Sequence, residues 1–282
     1  MVCHETFKTK KGEWVFPSDI KEKDNMFFHQ ETNEEIIKGP SESMSKSKKN
    51  VIDPEAIISM YGADTARWFM LSDSPPGRDI NWSESGVRGS WKFINKVWTI
   101  INENKYLFET EIEATEIKSK KYNEIKKITH KILKDVTNNI ESFQMNVAVA
   151  KIYELTNFIS TFRTENNNDK DALKESIGIL VRILEPMIPH LAEECWSIIG
   201  GNDLLCKQPW PIFDAQYIQD DMIQIVIQVN GKKKAVLEIE NDSEQDKIIE
   251  KLKNIENIQI VKDLSKVKKI IFVKNKILNI VI

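Results

Sequence analysis

The segment at residues 125–143, IKKITHKILKDVTNNIESF, decides the fold class of the chain. Its apolar side chains recur at every third or fourth position, at Ile125, Ile128, Ile132, Val136, Ile140 and Phe143. This spacing places them on one face of an α-helix. Because an isolated helix of this length is marginal in water, the apolar face must pack against other helices.

Similar stripes lie on both sides of this segment. The preceding helix carries Val87, Trp91, Ile94, Trp98 and Ile101. After it, one helix follows Asn146, another carries Leu173, Ile177, Leu180 and Leu184, and a short one runs from Pro189 to Ile199. Residues 80–214 therefore predict an antiparallel bundle of four or five helices, with Trp91, Trp98 and Trp196 packed in its core.

The spacing of the apolar residues changes after the bundle, in residues 215–282. Ile223, Ile225, Ile227 and Val229 alternate with mostly polar residues and are followed by Asn230-Gly231. Asn-Gly between two alternating runs predicts a hairpin, since a type I′ turn needs positive φ at both central residues. A helix capped by Ser243 and two further strands, at residues 267–273 and 277–282, complete a predicted small α+β domain.

Residues 1–79 contain short apolar runs separated by turn residues, which predict small β-ribbons. A polar tract from Ser41 to Asn50 shows no apolar period, and we expect a mobile loop there. Asp53-Pro54-Glu55 predicts a helix start, and Asp64 is expected to cap the following helix.

Composition narrows the class of protein. The chain has 282 residues, of which 41% are hydrophobic and 29% charged, as in ordinary globular proteins. Its apolar runs are too short to span a membrane, and Met1–Thr6 does not resemble a signal peptide. Three separated cysteines, Cys3, Cys195 and Cys206, argue against a disulfide scaffold or a cysteine-rich zinc site, so no metal site is expected.

Charge is distributed unevenly. The net charge is −3, yet residues 222–282 hold 12 lysines and 8 acidic residues. A basic region on an acidic body is compatible with nucleic-acid contact through one face. The alternative is an ordinary solvated, lysine-rich surface.

The polar tract contains Ser43-Met44-Ser45-Lys46-Ser47. A loop with these groups can wrap a polyphosphate, because lysine supplies a positive charge while hydroxyl and backbone N–H groups donate hydrogen bonds. Flexibility would allow it to close when substrate is present. Taken alone, the pentapeptide is equally compatible with a solvated loop.

These five residues resemble the second signature of class I aminoacyl-tRNA synthetases, Lys-Met-Ser-Lys-Ser. The segments that resemble the leucyl branch of that class are Asn50–Pro54, Tyr61–Arg67, Ser74–Pro76, Trp82–Val87, Pro189–Trp196, Trp210-Pro211, Gln228–Lys232 and Asn279–Ile282. The resemblance extends over the whole chain. Isoleucyl, valyl and methionyl enzymes are the alternatives, but they commonly differ in the last zone, with a cysteine zinc finger, a coiled coil or no such domain.

The resemblance implies a multidomain, mostly α-helical architecture. Residues 1–79 would be the C-terminal end of a class I α/β catalytic domain, with the signature loop at residues 43–47. Residues 80–214 would be an antiparallel helical bundle of the anticodon-binding type. Residues 215–282 would be a small α+β C-terminal domain that contacts tRNA.

The activity implied is ATP-dependent activation of leucine and its transfer to tRNA(Leu), by a cytoplasmic monomer that does not enter membranes. ATP would arrive with Mg²⁺ as a substrate. Lys46 would be the catalytic residue, neutralising charge on the departing phosphates, and Ser43, Met44, Ser45 and Ser47 would complete the ATP-binding loop.

Two departures qualify this expectation. Ser43 stands where the family has its first lysine, and no histidine begins a His-x-Gly-His sequence, the first ATP-binding signature of the class. The chain is therefore expected to be the C-terminal part of such an enzyme and to be inactive alone. The alternatives are a tRNA-binding module without catalysis and a protein-interaction bundle without an RNA role.

Candidate tRNA contacts are basic residues in two zones. Arg88, Lys92 and Lys96 recur at four-residue intervals on one helix, and Lys232, Lys233, Lys234, Lys268 and Lys269 lie in the C-terminal domain. Each group has a solvated surface as its alternative interpretation.

Overall fold

A computed structural model describes residues 1–113, 119–218, 222–241, 243–253 and 267–282. The chain forms two compact units, Met1–Tyr217 and Ile218–Ile282, and each is described by itself. The domain boundaries predicted near residues 80 and 215 remain predictions. None of the helices that are described combines the length and the hydropathy needed to cross a membrane.

The first unit begins with a mixed sheet. Its described strands are β1 (Val2–Thr9), β2 (Ile20–Lys23), β3 (Met26–His29), β4 (Glu35–Ser43) and β5 (Ile80–Asn81), in the order β2-β3-β4-β1-β5. β1 pairs antiparallel with β4 and parallel with β5. Phe7, Val15 and Ile36 form a small core on this sheet.

β4 extends further than the sequence predicted, through Gly39 and Pro40 to Ser43, so the loop expected from Ser41 starts later. The pairing with β1 shifts between Glu5 and Phe7, and such an irregularity accommodates a proline that has no N–H group. Thr6 Oγ1 donates to the Pro40 carbonyl at 2.9 Å. A side chain at Gly39 would clash with Thr6, since its Cβ would lie 2.5 Å from that hydroxyl.

The rest of the first unit is largely helical. The helices in its described part are α1 (Pro54–Tyr61), α2 (Ala63–Ser72), α3 (Glu84–Asn104), α4 (Tyr106–Glu109), α5 (Lys120–Glu141), α6 (Met145–Thr161), α7 (Asn167–Leu184) and α8 (Pro189–Ile198). The predicted start of α1 is confirmed, because the Asp53 carboxylate accepts from the Glu55 N–H at 3.0 Å.

The role predicted for Asp64 is wrong, because it lies inside α2 and caps a different helix. Its carboxylate accepts from the Leu191 N–H of α8 at 2.7 Å and lies 2.9 Å from His190 Nδ1. Arg67, one turn later, donates to the Met187 and Pro186 carbonyls before α8. Asp64 and Arg67 therefore connect α2 to the start of α8 and to the residues just before it.

The stripe predicted on α5 is confirmed for Ile125, Ile132 and Val136, which are buried in the bundle core, but it is wrong for Phe143, which follows the end of the helix and is 73% exposed. The stripe predicted on α3 is partly wrong: Trp91 and Trp98 are 43% and 39% exposed. α3 is rotated so that Phe93 points inward and stacks on Trp68 of α2 at 4.4 Å. A stacked aromatic pair contributes beyond its buried area, which favours this rotation.

Trp196, predicted with them as a core residue, is partly buried and packs against the same core. Its ring leaves no room for a side chain at Gly201, whose Cβ would lie 2.2 Å from the indole. The predicted core position therefore agrees better with the structure for Trp196 than for the two tryptophans on α3.

The second unit contains a helix, α9 (Gln245–Lys253), and a mixed sheet. The described strands of that sheet are β6 (Met222–Val229), β7 (Lys232–Glu240), β8 (Lys269–Val273) and β9 (Ile277–Val281), in the order β7-β6-β9-β8. The alternating residues Ile225, Ile227, Leu278 and Ile280 are buried against Ile248 and Leu252 of α9.

The predicted turn between β6 and β7 is confirmed, because Asn230 and Gly231 have φ values of 48° and 78°. The turn is fastened to the end of the chain. Asn279 accepts from the Gly231 N–H at 3.1 Å, and Asn230 accepts from the Ile282 N–H at 3.0 Å.

Candidate functional site

The signature loop, Ser43–Ser47, begins in β4 and continues into a single 3-10 turn over Lys46–Lys48. Ser45 is extended, and Lys49 ends the turn with a φ of 54°. The hydroxyls of Ser45 and Ser47 lie 2.8 Å apart. Loop residues that sequence analysis expected to lack structure thus have a defined turn whose serine hydroxyls meet.

Asn50 organises the turn from beneath. It is 1% exposed, and its carbonyl oxygen accepts from the Ser45 N–H at 2.8 Å. Its amide group donates to the carbonyls of Glu42 at 3.0 Å and His4 at 3.3 Å. One buried side chain therefore joins β1, β4 and the signature loop.

Three lysines of the turn differ in their partners. Lys48 pairs with Glu42, and the Lys49 ammonium lies 5.3 Å from the centre of the Phe16 ring. Lys46 is exposed, and none of the residues described forms an ion pair with it. The structure thus leaves the predicted catalytic lysine with its charge available to a ligand.

The first two residues of the signature loop belong to the sheet. Ser43 pairs with Cys3 across the strands. The Met44 N–H donates to the Val2 carbonyl at 3.1 Å, and its side chain lines an apolar cavity of 210 Å³ with Ile52, Ile58 and Trp82 among others. Met44 therefore anchors the loop, while Lys46 and the two serines remain at the surface.

His4 lies directly under this arrangement. Burial lowers the pKa of its imidazole, although Glu5, Asn50 and Glu84 act in the opposite direction. Its Nδ1 atom is buried without a hydrogen-bond partner among the described residues. A neutral imidazole therefore supports the signature loop at neutral pH.

The basic residues predicted on α3 are not equivalent. Arg88 pairs with Glu84 at 3.5 Å, and the Lys96 ammonium donates to Asn157 of α6 at 2.7 Å. Lys92 is exposed, and the described residues supply it with no ion-pair partner. The exposed indoles of Trp91 and Trp98 lie on the same helix and were not predicted to be at the surface.

The lysines predicted in the second unit are all exposed. Lys232 and Lys268-Lys269 lie on opposite edge strands, but at the same end of the sheet, because Val229 pairs with both Lys232 and Ile280, and Ile280 pairs with Ile270. Three strand spacings separate these edges, about 14 Å. The fold brings the two lysine groups to one rim.

A cluster of possible metal ligands includes one residue of α8. Among the described residues, ligand atoms of Glu185, Glu193 and Cys206 lie within 4.8 Å of one another. The Glu193 carboxylate already accepts from the backbone N–H groups of Leu205 and Cys206, and the former bond lowers its pKa most. These contacts explain the position of Glu193 as a cap for the turn that follows α8.

Two segments of the chain match models of known protein families. Residues 29–83 match a family described as tRNA synthetases class I (I, L, M and V), and residues 123–251 match the anticodon-binding domain of tRNA ligase.

Curated relatives match the entire chain. The leucine--tRNA ligase of Sinorhizobium medicae strain WSM419 is 41% identical over 295 aligned residues, which cover 100% of this chain and 34% of the relative. The leucine--tRNA ligase of Wolbachia pipientis subsp. Culex pipiens (strain wPip) is 40% identical, and the alignment covers 100% of this chain and 33% of that relative. The chain thus spans about a third of the length of the curated relatives it matches.

Solved structures agree on the fold. The agnB2 LeuRS of Agrobacterium radiobacter K84, solved as a ternary complex with tRNA and LeuAMS, has a TM-score of 0.67 and 27% identity, covering 84% of this chain and 30% of that protein. A methionyl-tRNA synthetase of Mycobacterium tuberculosis shares the fold at a TM-score of 0.50 and 16% identity, covering 56% of this chain and 36% of its own.

A class I synthetase segment that leads into an anticodon-binding bundle defines the class of protein: the chain is a class I aminoacyl-tRNA synthetase sequence. Matches to leucine--tRNA ligases at 38 to 41% identity, which cover all of this chain, then identify the branch. The chain belongs to the leucine--tRNA ligase family and corresponds to its C-terminal part.

Proposed function

We propose that this chain supplies the phosphate-contacting loop and the tRNA-binding part of an enzyme that activates leucine with ATP and transfers it to tRNA(Leu). The observation that carries the proposal is the signature loop, in which Asn50 fixes the turn and Lys46 is left without a partner among the described residues. The family membership supports the choice of leucine.

Chemically, Lys46 would face the phosphates that leave when the leucine carboxylate attacks the α-phosphate of ATP. A positive charge placed where negative charge develops lowers the barrier. The hydroxyls of Ser45 and Ser47, which lie 2.8 Å apart, would donate to phosphate oxygens. Mg²⁺ would be held by phosphate oxygens and water, and we propose a cytoplasmic monomer.

The chain alone should not form leucyl-adenylate, because no His-x-Gly-His sequence occurs in its 282 residues. A split-enzyme experiment tests this. Leucine-dependent exchange of pyrophosphate into ATP is measured for the chain, for the N-terminal two thirds of the Sinorhizobium medicae relative, and for both together.

Exchange only in the mixture, and its loss with Lys46→Ala, would support the proposal. Exchange by the chain alone would contradict the expected division of labour. A mixture that binds tRNA(Leu) but catalyses no exchange would favour the alternative, a tRNA-binding module without catalysis.

A further inference from the structure

A cavity of 360 Å³ lies on the side of the bundle formed by α7. Lys174, Gly178 and Arg182 contribute to it from one face of α7, at intervals of four residues. The remaining walls include Phe108, Ile179, Trp196, Pro211 and Ile212. Its volume is within the range of about 300–1,000 Å³ found for small-ligand sites.

Arg182 is the most informative residue of this cavity. Its guanidinium carbon lies 5.5 Å from the centre of the Trp196 ring. Its Nε atom is buried and has no hydrogen-bond partner among the described residues. A guanidinium is planar, and two of its N–H groups can bind two oxygens of one anion.

The other charged groups leave this guanidinium uncompensated. The Lys174 ammonium lies 5.5 Å from the Phe108 ring and adds a second positive charge. Glu175 also lines the cavity, but it pairs with Lys126 and lies 3.3 Å from His130 Nε2. Burial opposes ionisation of Glu175, yet these two partners hold its pKa below the ordinary value.

Gly178 leaves a gap between the two cations. A Cβ atom built there meets no atom within 4 Å, so a side chain would fit without a clash. Glycine lowers the stability of a helix relative to alanine. At position 178 it keeps the space between Lys174 and Arg182 open.

We propose that the cavity between Lys174 and Arg182 is a phosphate-binding subsite. Two cations, one presenting a planar set of donors, match the several acceptor oxygens of a phosphate group. Ile212, which is 88% exposed at the cavity edge, gives the adjoining sugar or base an apolar contact. The source we assign is a backbone phosphate of RNA, a choice that rests on the proposed function.

The first test measures binding of a Sinorhizobium medicae tRNA(Leu) transcript to the full chain at several salt concentrations. The double variant Lys174→Gln and Arg182→Gln should bind about five- to tenfold more weakly, with a salt slope lower by about one, because one phosphate is no longer neutralised. Gly178→Gln should weaken binding without removing a charge. Lys120→Gln with Lys134→Gln, two exposed lysines of α5, is the matched control and should change affinity less than twofold.

The variant Gly178→Ala controls for misfolding. It should fold at least as well as the parent, because alanine favours the helix more than glycine does. Its side chain fills less of the gap than glutamine, so its affinity for tRNA should lie between the affinities of the parent and of Gly178→Gln. Equal affinity of the parent and all cavity variants would remove RNA phosphate as the occupant.

The second test uses inorganic phosphate and pyrophosphate with nitrogen NMR of the Trp196 indole and the Arg182 guanidinium, at matched ionic strength. Saturable shifts in the parent and not in Gly178→Gln support the subsite. With unchanged tRNA affinity, they identify a free anion and overturn the RNA assignment.

Two further outcomes are decisive. If neither probe distinguishes the variants from the parent, the proposal is wrong. If the parent binds no tRNA at all, the proposed function fails instead, and the NMR titration still determines whether the cavity binds phosphate.

Discussion

The signature loop and the hairpin lysines Lys232–Lys234 both offer positive charge, but they are built differently. In the loop, the buried Asn50 amide joins three backbone segments and places one uncompensated lysine, Lys46, on a defined turn. The hairpin lysines are exposed residues at the start of an edge strand.

This difference separates two uses of charge. Stabilising charge on a departing phosphate requires a group fixed in advance, so single residues should matter. Neutralising an RNA backbone is additive and tolerates flexible side chains, so single residues should matter little and salt should matter strongly. Variants in the two regions can test this contrast, beginning with the largest expected effect.

Lys46→Ala in the reconstituted enzyme should slow pyrophosphate exchange by about 100-fold, the usual cost of removing one preorganised charge-stabilising donor. Ser43→Ala should have a smaller effect, since the residue is neutral and belongs to β4. Lys49→Ala, whose ammonium faces Phe16, is the charge-matched control. Similar rates for the Lys46 and Lys49 variants would show that the turn does not select one lysine.

Asn50→Ala should lower the free energy of unfolding by about 2–3 kcal/mol, because buried backbone groups lose their partners. Exchange should fall about tenfold in the reconstituted enzyme, since Lys46 loses its fixed position. Chemical denaturation and the exchange assay measure the two effects.

Asn50→Asp gives a sharper comparison at the same position. It keeps the acceptor for the Ser45 N–H but replaces the donor that faces the carbonyls of Glu42 and His4. The new carboxyl would be disfavoured in its charged form, so its folded pKa should rise. Its destabilisation should therefore be smaller below about pH 4 than at pH 7. Equal losses at both pH values would contradict the assigned donor role.

The triple variant Lys232→Ala, Lys233→Ala and Lys234→Ala should weaken tRNA(Leu) binding by about five- to tenfold. The salt slope should fall by about two to three units, since each phosphate that is no longer neutralised lowers it by roughly 0.9. Each single variant should change affinity about twofold. Lys247→Ala, Lys251→Ala and Lys276→Ala remove equal charge elsewhere in the second unit. An identical effect of both triples would assign the attraction to net charge rather than to the rim.

Local patterns were readable from the sequence, and long-range partners were not. The Asn230-Gly231 turn follows from two adjacent residues, and the loop lysine follows from five. Asn50, by contrast, acts through His4, which lies 46 positions away, and Asp64 caps a helix 127 positions away. No local signal distinguishes these residues from ordinary polar ones.

The error on α3 has a related cause. Apolar spacing identifies a helix, but the direction of its buried face depends on what the neighbouring elements present. Trp68 of α2 stacks on Phe93 and turns Trp91 outward, and that pairing joins residues whose positions give no shared pattern.

The smallest expected effect concerns pH and again separates the two regions. Burial lowers the pKa of His4, so the unfolded chain takes up a proton near pH 6.5 while the folded loop resists it. The resulting stabilisation is complete above about pH 6.5 and is lost as pH falls through the folded pKa. The second unit contains no histidine.

Hydrogen exchange, corrected for intrinsic rates, should therefore show the protection of amides around Ser45 falling between pH 7 and 5, while the protection of β6 amides stays constant. His4→Gln should flatten the first profile, and parallel profiles in the parent would show that His4 does not support the loop.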